Sequence, residues 1–234
     1  MPIQPYYQRE GITLYHGDSR TILPQLKAET FDLALTDPPY LVSYTGRWGS
    51  ELEPIHGDSD PGWVLPCYSE LFRVLRPDSL CFTFYGWPHA DVFMTSWRAA
   101  GFRPVSVCAL VKRRIGLGYF TRAQHELAYL LAKGRPKKPE CAPSDVIDWE
   151  YSGESFHPNQ KPVGAMAKLI AAYADEKTFV IDPFCGSGTT LLAARACGVS
   201  AVGIEIEERF CEVAAMRLSQ QVLDFERRAP ILIP

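Results

Sequence analysis

Asp37-Pro38-Pro39-Tyr40 follows an apolar run at 31–36, and Asp182-Pro183-Phe184-Cys185-Gly186-Ser187-Gly188-Thr189-Thr190 closes a second run that includes Ile181. The first segment gathers a carboxylate, a backbone stiffened by two successive prolines, and an aromatic ring. Such a set suits an exocyclic amino group on a flat base, because the carboxylate accepts a hydrogen while the ring offers a stacking face. Taken alone, Asp-Pro-Pro is also a common turn composition with a tyrosine packed nearby. The second segment passes from strand to glycine turn to helix, which sets backbone N–H groups and a helix N-terminus around a small ligand. A ligand bearing a carboxylate would suit it. It is not a dinucleotide fingerprint, because Leu191 stands where that motif needs glycine or alanine, and it lacks the lysine of a phosphate-binding loop. One helix later Val202-Gly203-Ile204-Glu205 ends a further run with an acid placed to accept hydrogen bonds from a ribose diol.

Positioning these groups requires strands that end together. Apolar runs bounded by turn residues predict strands at 12–16, 31–36, 79–85, 105–111, 127–131, 178–181 and 201–204. Helical periodicity falls between them at 62–75, 88–100, 162–174, 189–196 and 207–228. Pro162 suits a first helical turn, and Gly101 and Gly198 suit left-handed caps. This alternation predicts an α/β fold with a mostly parallel, doubly wound sheet covered on both faces. In that arrangement, if the strand ending at Ile181 lies beside the one ending at Thr36, Asp37 and Gly186 meet at the topological switch. Residues 41–61 and 134–159 read as irregular, and loops of that length inside a domain are usually functional or mobile.

A chain of 234 residues that is 47% hydrophobic can bury a core of its own, and residues 1–234 are expected to form a single domain. No apolar run is long enough to cross a bilayer, and no basic stretch leads into an apolar one at the amino terminus, so a soluble, cytoplasmic protein is expected. The seven cysteines are scattered without a C-x-x-C pair, which favours neither a disulfide framework nor a metal site. Net charge is −3, yet between Arg98 and Lys138 ten basic residues face one acid, Glu126, leaving that stretch at +9 and the remainder at −12. A basic face on an acidic body suits a phosphate backbone, although the run at 133–138 is equally well a solvated surface.

The two opening segments together resemble the paired signatures of S-adenosylmethionine-dependent DNA amino-methyltransferases, which methylate adenine N6 or cytosine N4. His157-Pro158-Asn159-Gln160-Lys161-Pro162 resembles the family's helix-entry motif, and Tyr15-His16-Gly17-Asp18-Ser19 a further cofactor segment. Phe120-Thr121-Arg122-Ala123-Gln124-His125-Glu126 and Phe72-Arg73-Val74-Leu75-Arg76-Pro77 also look like family segments. Motif order is that of the group called beta. The resemblance implies a Rossmann-like methyltransferase fold of about seven mostly parallel strands with an antiparallel edge, and S-adenosylmethionine as cofactor with S-adenosylhomocysteine as product. Cofactor contacts would come from Asp18, Lys161, Asp182, Phe184, Gly186, Ser187, Gly188, Thr189 and Glu205, with Asp18 facing the cofactor's adenine. Asp37, Pro38, Pro39 and Tyr40 would be catalytic. The carboxylate and the Pro38 carbonyl would each accept one amino hydrogen, and Tyr40 would stack on a base swung out of the duplex. Acid rather than serine at position 37 favours adenine N6 over cytosine N4, and acid rather than asparagine counts against RNA or protein-amide substrates.

Loops at about 41–61 and 112–159 are expected to touch DNA, through Tyr44, Arg47, Trp48, Lys112, Arg113, Arg114 and Arg122. Only residues 134–156 are left for target recognition, so a short or relaxed target site is expected. A homodimer is implied by the resemblance alone. No metal is expected.

Overall fold

Residues 33–36 are buried one after another, as a strand covered on both faces requires. In the computed structural model, which describes residues 3–42, 56–116, 119–139, 141–149 and 161–220, that strand lies mid-sheet. The elements in chain order are β1 (Tyr7–Arg9), β2 (Ile12–His16), α1 (Ser19–Ile22), β3 (Phe31–Thr36), α2 (Val64–Val74), β4 (Leu75–Phe84), α3 (Ala90–Ala99), β5 (Arg103–Lys112), β6 (His125–Lys133), β7 (Val146–Trp149), α4 (Val163–Ala171), β8 (Phe179–Asp182), α5 (Thr189–Ala196), β9 (Ser200–Glu205) and α6 (Glu208–Ser219).

These strands form one nine-stranded sheet in the order β1-β2-β9-β8-β3-β4-β6-β5-β7. Strands β2, β9, β8, β3 and β4 are parallel neighbours, with β6 antiparallel between β4 and β5 and β1 antiparallel at one edge. All seven strands expected from the sequence are present, and a short strand extends each edge. β7 corrects the reading of 134–159 as irregular throughout and of 112–159 as loop. It pairs in parallel with β5 and buries Ile147 and Trp149 while exposing Val146 and Asp148.

Two apolar layers sandwich the sheet. Leu33, Leu35 and Phe82 pack with Met166 and Leu169 of α4, Leu191 of α5 and Ala214 of α6. Ala34, Cys81 and Ile181 face the other way, toward Tyr68 and Leu71 of α2 and Phe93 and Trp97 of α3. Gly101 and Gly198 take positive φ after α3 and α5, as their cap role requires. Pro162 precedes the first helical residue as N-cap of α4, one position earlier than expected.

From β3 the chain moves outward through α2 to β4, and it returns through α4 to β8 on the opposite flank of β3. Leu33 pairs with Val180 and Ala34 with Ile181. The topological switch therefore falls between β3 and β8, where Asp37 and Gly186 were expected to meet.

Candidate active site

Four neighbouring parallel strands carry an acid at or just past their carboxyl ends: Asp18 after β2, Glu205 on β9, Asp182 on β8 and Asp37 after β3. Hydrogen bonds lock these ends in register. Gly17 N donates to Glu205 O at 2.8 Å, and Cys185 N to Ile204 O at 3.0 Å. Thr36 Oγ1 donates to Asp182 Oδ1 at 2.8 Å, and Phe184 N donates to the same oxygen at 3.0 Å. Asp182 thus joins the strand carrying Asp37 to the glycine turn.

The turn itself depends on left-handed backbone at Gly186 (φ +50) and Gly188 (φ +80). A side-chain carbon on Gly186 would meet nothing within 4 Å, so the turn opens outward there, whereas one on Gly188 would lie 2.9 Å from Ala214 Cβ in α6. Glu205 braces the turn, accepting from Gly186 N and Glu207 N, each at 2.8 Å. Arg217, buried in α6, donates to Ser187 O at 2.6 Å and to Ser187 Oγ at 3.1 Å. Burial raises the carboxyl of Asp182 to about 7 and moves that of Glu205 upward. Asp18 goes the other way, lowered by its hydrogen bonds to Arg20. Its carboxylate accepts from Arg20 N at 2.8 Å as the cap of α1 and pairs with the Arg20 guanidinium at 2.6 Å.

Asp37 faces a second set of partners. Its Oδ1 accepts from the Tyr40 hydroxyl at 2.7 Å and its Oδ2 from Lys161 Nζ at 2.5 Å. Lys161, just ahead of α4, also lies 3.0 Å from Glu126 Oε2 on β6 and 3.2 Å from the Tyr40 hydroxyl oxygen. Lys112 on β5 pairs with Glu126 Oε1 at 2.6 Å. Acid and base therefore alternate along Asp37, Lys161, Glu126 and Lys112. Burial raises the Asp37 carboxyl against the pull of Lys161. Glu126 is held low, since Lys161 and Lys112 overcome its burial. The Tyr40 hydroxyl is pushed up by burial and by both carboxylates.

Gly86, just beyond β4, lies against the backbone of Tyr40, and any side-chain carbon there would overlap the Tyr40 carbonyl oxygen. Leu41 follows with φ +63, an uncommon conformation for a residue with a Cβ. The 37–40 segment is therefore pinned from both sides. A cavity of about 670 Å³ is lined by Asp37, Pro38, Pro39, Tyr40, Glu126 and Lys161 at one end, and by Asp18, Asp182, Phe184, Gly186, Ser187, Thr189 and Glu205 at the other.

Residues 31–216 match the N6/N4 methyltransferase model, described as DNA methylase. The chain belongs to this DNA methylase family. Among its relatives is YubD of Escherichia coli (strain K12), 38% identical over 203 residues that cover 87% of this chain and 88% of the relative. DNA adenine methyltransferase YhdJ of the same strain is 25% identical over 91% of this chain and 84% of its own. In fold the protein resembles PvuII DNA methyltransferase (cytosine-N4-specific), with a TM-score of 0.77 and 17% identity over 96% of this chain and 92% of that one. The protein is an N6/N4 DNA methyltransferase, and S-adenosylmethionine is its cofactor. The glycine end of the cavity fits that molecule. The turn opens at Gly186 with no side chain in the way, Ser187 and Thr189 line it, and the Glu205 carboxylate is held there by two backbone donors.

Eight of the nine residues expected at the cofactor line this cavity, and Gly188 instead packs against α6. Lys161 lines it at the Asp37 end. Tyr44, Arg47 and Trp48 lie outside the described residues, as do His157, Pro158, Asn159, Gln160 and the last part, 221–228, of the helix expected at 207–228, whose first part is α6. Lys112 is committed to Glu126, while Arg113, Arg114 and Arg122 are exposed on a hairpin between β5 and β6. Lys112 N donates to Gln124 O at 2.7 Å and Gly116 N to Ala123 O at 2.8 Å, which close its base. Tyr119 and Phe120 are 99% and 97% exposed on the same hairpin. Lys133, in the basic stretch, is structural: its ammonium donates to Phe72 O and Leu75 O. Gly86, Thr36 and Arg217 were not singled out in the sequence, and only their contacts with distant residues mark them. Among the described residues, no group of three His, Cys, Asp or Glu side chains is placed to hold a metal ion, and no helix is long and apolar enough to cross a membrane.

Proposed function

We propose that the protein methylates the N6 amino group of adenine in DNA, acting on a base swung out of the duplex. One observation carries this reading most of the way. The Thr36 hydroxyl bond to Asp182 joins β3 to β8, so the Asp37 carboxylate and the glycine turn share one cavity. The acid at position 37 and the likeness to an adenine methyltransferase support adenine.

Within this reading each residue has a task. Asp18, Asp182, Phe184, Gly186, Ser187, Thr189 and Glu205 hold the cofactor, and Gly188 shapes the turn. S-adenosylmethionine supplies an electrophilic methyl group on a sulfonium. The amino nitrogen of adenine is a poor nucleophile because its lone pair is delocalised into the ring. Asp37 accepts one amino hydrogen and the Pro38 carbonyl the other, which favours the pyramidal nitrogen. Both bonds strengthen as positive charge develops there, and that difference lowers the barrier. Pro38 and Pro39 keep the carbonyl aimed. The ring of Tyr40, its hydroxyl tied to Asp37, offers a fixed face on which the base stacks. Asp37 need not be a strong base, since a methylated aromatic ammonium gives up its proton readily. Arg113, Arg114 and Arg122 bind phosphates, and Tyr119 and Phe120 meet bases or sugars at the opened duplex.

Digestion of DNA treated with the protein and S-adenosylmethionine, followed by mass spectrometry of the nucleosides, tests this reading. N6-methyldeoxyadenosine is expected. N4-methyldeoxycytidine would keep the mechanism and replace the base, whereas no methylated nucleoside would overturn the reading.

A further inference from the structure

Lys161 spends its whole donor capacity away from the glycine turn. An ammonium has three N–H bonds, and three acceptors surround this one: Asp37 Oδ2 at 2.5 Å, Glu126 Oε2 at 3.0 Å and the Tyr40 hydroxyl oxygen at 3.2 Å. The side chain is only 5% exposed, and its ammonium lies 4.7 Å from the centre of the Phe84 ring. A buried, aligned cation orients a carboxylate strongly and favours its ionised form. Without Lys161, Asp37 would keep only the Tyr40 hydroxyl among these partners.

Glu126 completes the arrangement. It holds Lys161 at 3.0 Å and is itself anchored by Lys112, whose ammonium also sits 4.5 Å from the centre of the Trp149 ring. Two acids share one lysine, so the strength with which Lys161 holds Asp37 depends on Glu126.

We propose that Lys161 is a positioning residue for Asp37 rather than a cofactor ligand, and that Glu126 sets how tightly it does so. The inference deepens the methyl-transfer reading and rests on it for the role of Asp37. Lys161 points one Asp37 oxygen and Tyr40 the other, leaving their remaining lone pairs toward the base. Among the described residues, the charged groups facing Asp37 are Lys161 ahead of α4, Glu126 on β6 with Lys112 behind it on β5, and Asp182 on β8, with Tyr40 the remaining titratable neighbour. Among the described residues that touch Asp37, only Lys161 is cationic, so its removal acts on Asp37 in one direction.

The test uses full-length wild type, Lys161→Met, Lys161→Arg and Glu126→Gln. The Asp37 carboxyl is titrated by carbon-13 NMR, with Asp37→Asn for assignment, alongside single-turnover methylation from pH 5.5 to 9 and calorimetric S-adenosylmethionine binding. In Lys161→Met the Asp37 titration and the acid limb of the rate profile are expected to move up by about one unit or more, the range for losing an adjacent opposite charge. Cofactor affinity should stay within about twofold, which is under ~0.5 kcal/mol. Lys161→Arg should restore much of the shift, and Glu126→Gln should move the titration downward. Loss of cofactor affinity with an unmoved titration would overturn the proposal and return Lys161 to the cofactor. If Lys161→Met does not fold, Glu126→Gln decides, and an unmoved titration there would also overturn it. The NMR titration needs no turnover, so a wild type inactive on DNA would defeat the methyl-transfer reading while leaving this measurement to stand or fall separately.

Discussion

Gly86 provides a sharp test of how the Asp37 segment is held. An added Cβ in Gly86→Ala would lie 2.8 Å from Tyr40 Cβ and 3.1 Å from its carbonyl carbon, besides overlapping the carbonyl oxygen. Ordinary carbon contacts lie at about 3.5–4.0 Å, so the two segments must part by roughly 1 Å. Flexible side-chain motion cannot relieve the clash, because two of the three atoms are backbone. Overpacking of this kind costs about 1–3 kcal/mol, or roughly 2–12 °C of melting temperature for a chain of this size. The larger effect falls on turnover. A displacement of about 1 Å at a reacting group costs on the order of a hundredfold in rate, while Gly186 and Glu205 stay in place. Gly86→Ala should therefore bind S-adenosylmethionine within about threefold of wild type, yet lose one to two orders of magnitude in single-turnover methylation. A variant that turns over within twofold of wild type would refute the claim that Gly86 fixes Tyr40 and Asp37.

Protonation of Asp182 should appear in stability. Its folded carboxyl sits at about 7, above the usual unfolded value of about 3.9, so between those limits the folded state holds the extra proton. Stability of the protein without cofactor should fall as pH rises from about 4 to 7 and then level, by a few kcal/mol at 1.36 kcal/mol per unit. Melting curves across that window should show a shallower fall for Asp182→Asn, and parallel curves for the two proteins would contradict the assignment. Combined Arg113→Ala, Arg114→Ala and Arg122→Ala should reduce the slope of log affinity against log salt by about 0.9 for each phosphate that is no longer neutralised, and an unchanged slope would remove the hairpin from the DNA surface. Replacing Tyr119 and Phe120 together with alanine should weaken DNA binding by about 1–3 kcal/mol per stacked base without altering the salt slope or cofactor affinity, and unaltered DNA affinity would show that the rings meet something else.

How much of this was readable before the fold depends on where each residue's partner lies. The strand-end acids Asp37, Asp182 and Glu205 were legible because each closes an apolar run, and parallel strands bring such ends to one edge. Gly186 and Gly188 were legible as a turn, but their different tasks were not, since only the packing of α6 separates them. β1 escaped notice because it is three residues long, carries Gln8 and Arg9 after Tyr7, and gains its pairing from β2. β7 alternates buried and exposed residues, yet it sits in a stretch rich in Pro and Lys that masks a four-residue strand. Gly86 and Lys161 share a reason: each matters through its approach to the 37–40 segment, which no local pattern encodes. The basic stretch was read too uniformly. Lys112 is paired with Glu126 and Lys133 with main-chain carbonyls, and Arg113, Arg114 and Arg122 remain exposed.

The central claim is that the Asp37 carboxylate serves the amino group of the target base while the glycine end of the same cavity holds the cofactor. Single-turnover methylation of unmethylated DNA by Asp37→Ala, with S-adenosylmethionine affinity measured on the same preparation, tests it most directly. Cofactor affinity within about threefold of wild type and a methylation rate at least a hundredfold lower are the predicted outcome, since the carboxylate acts on the base alone. Near-normal methylation by Asp37→Ala with cofactor binding intact would contradict the account.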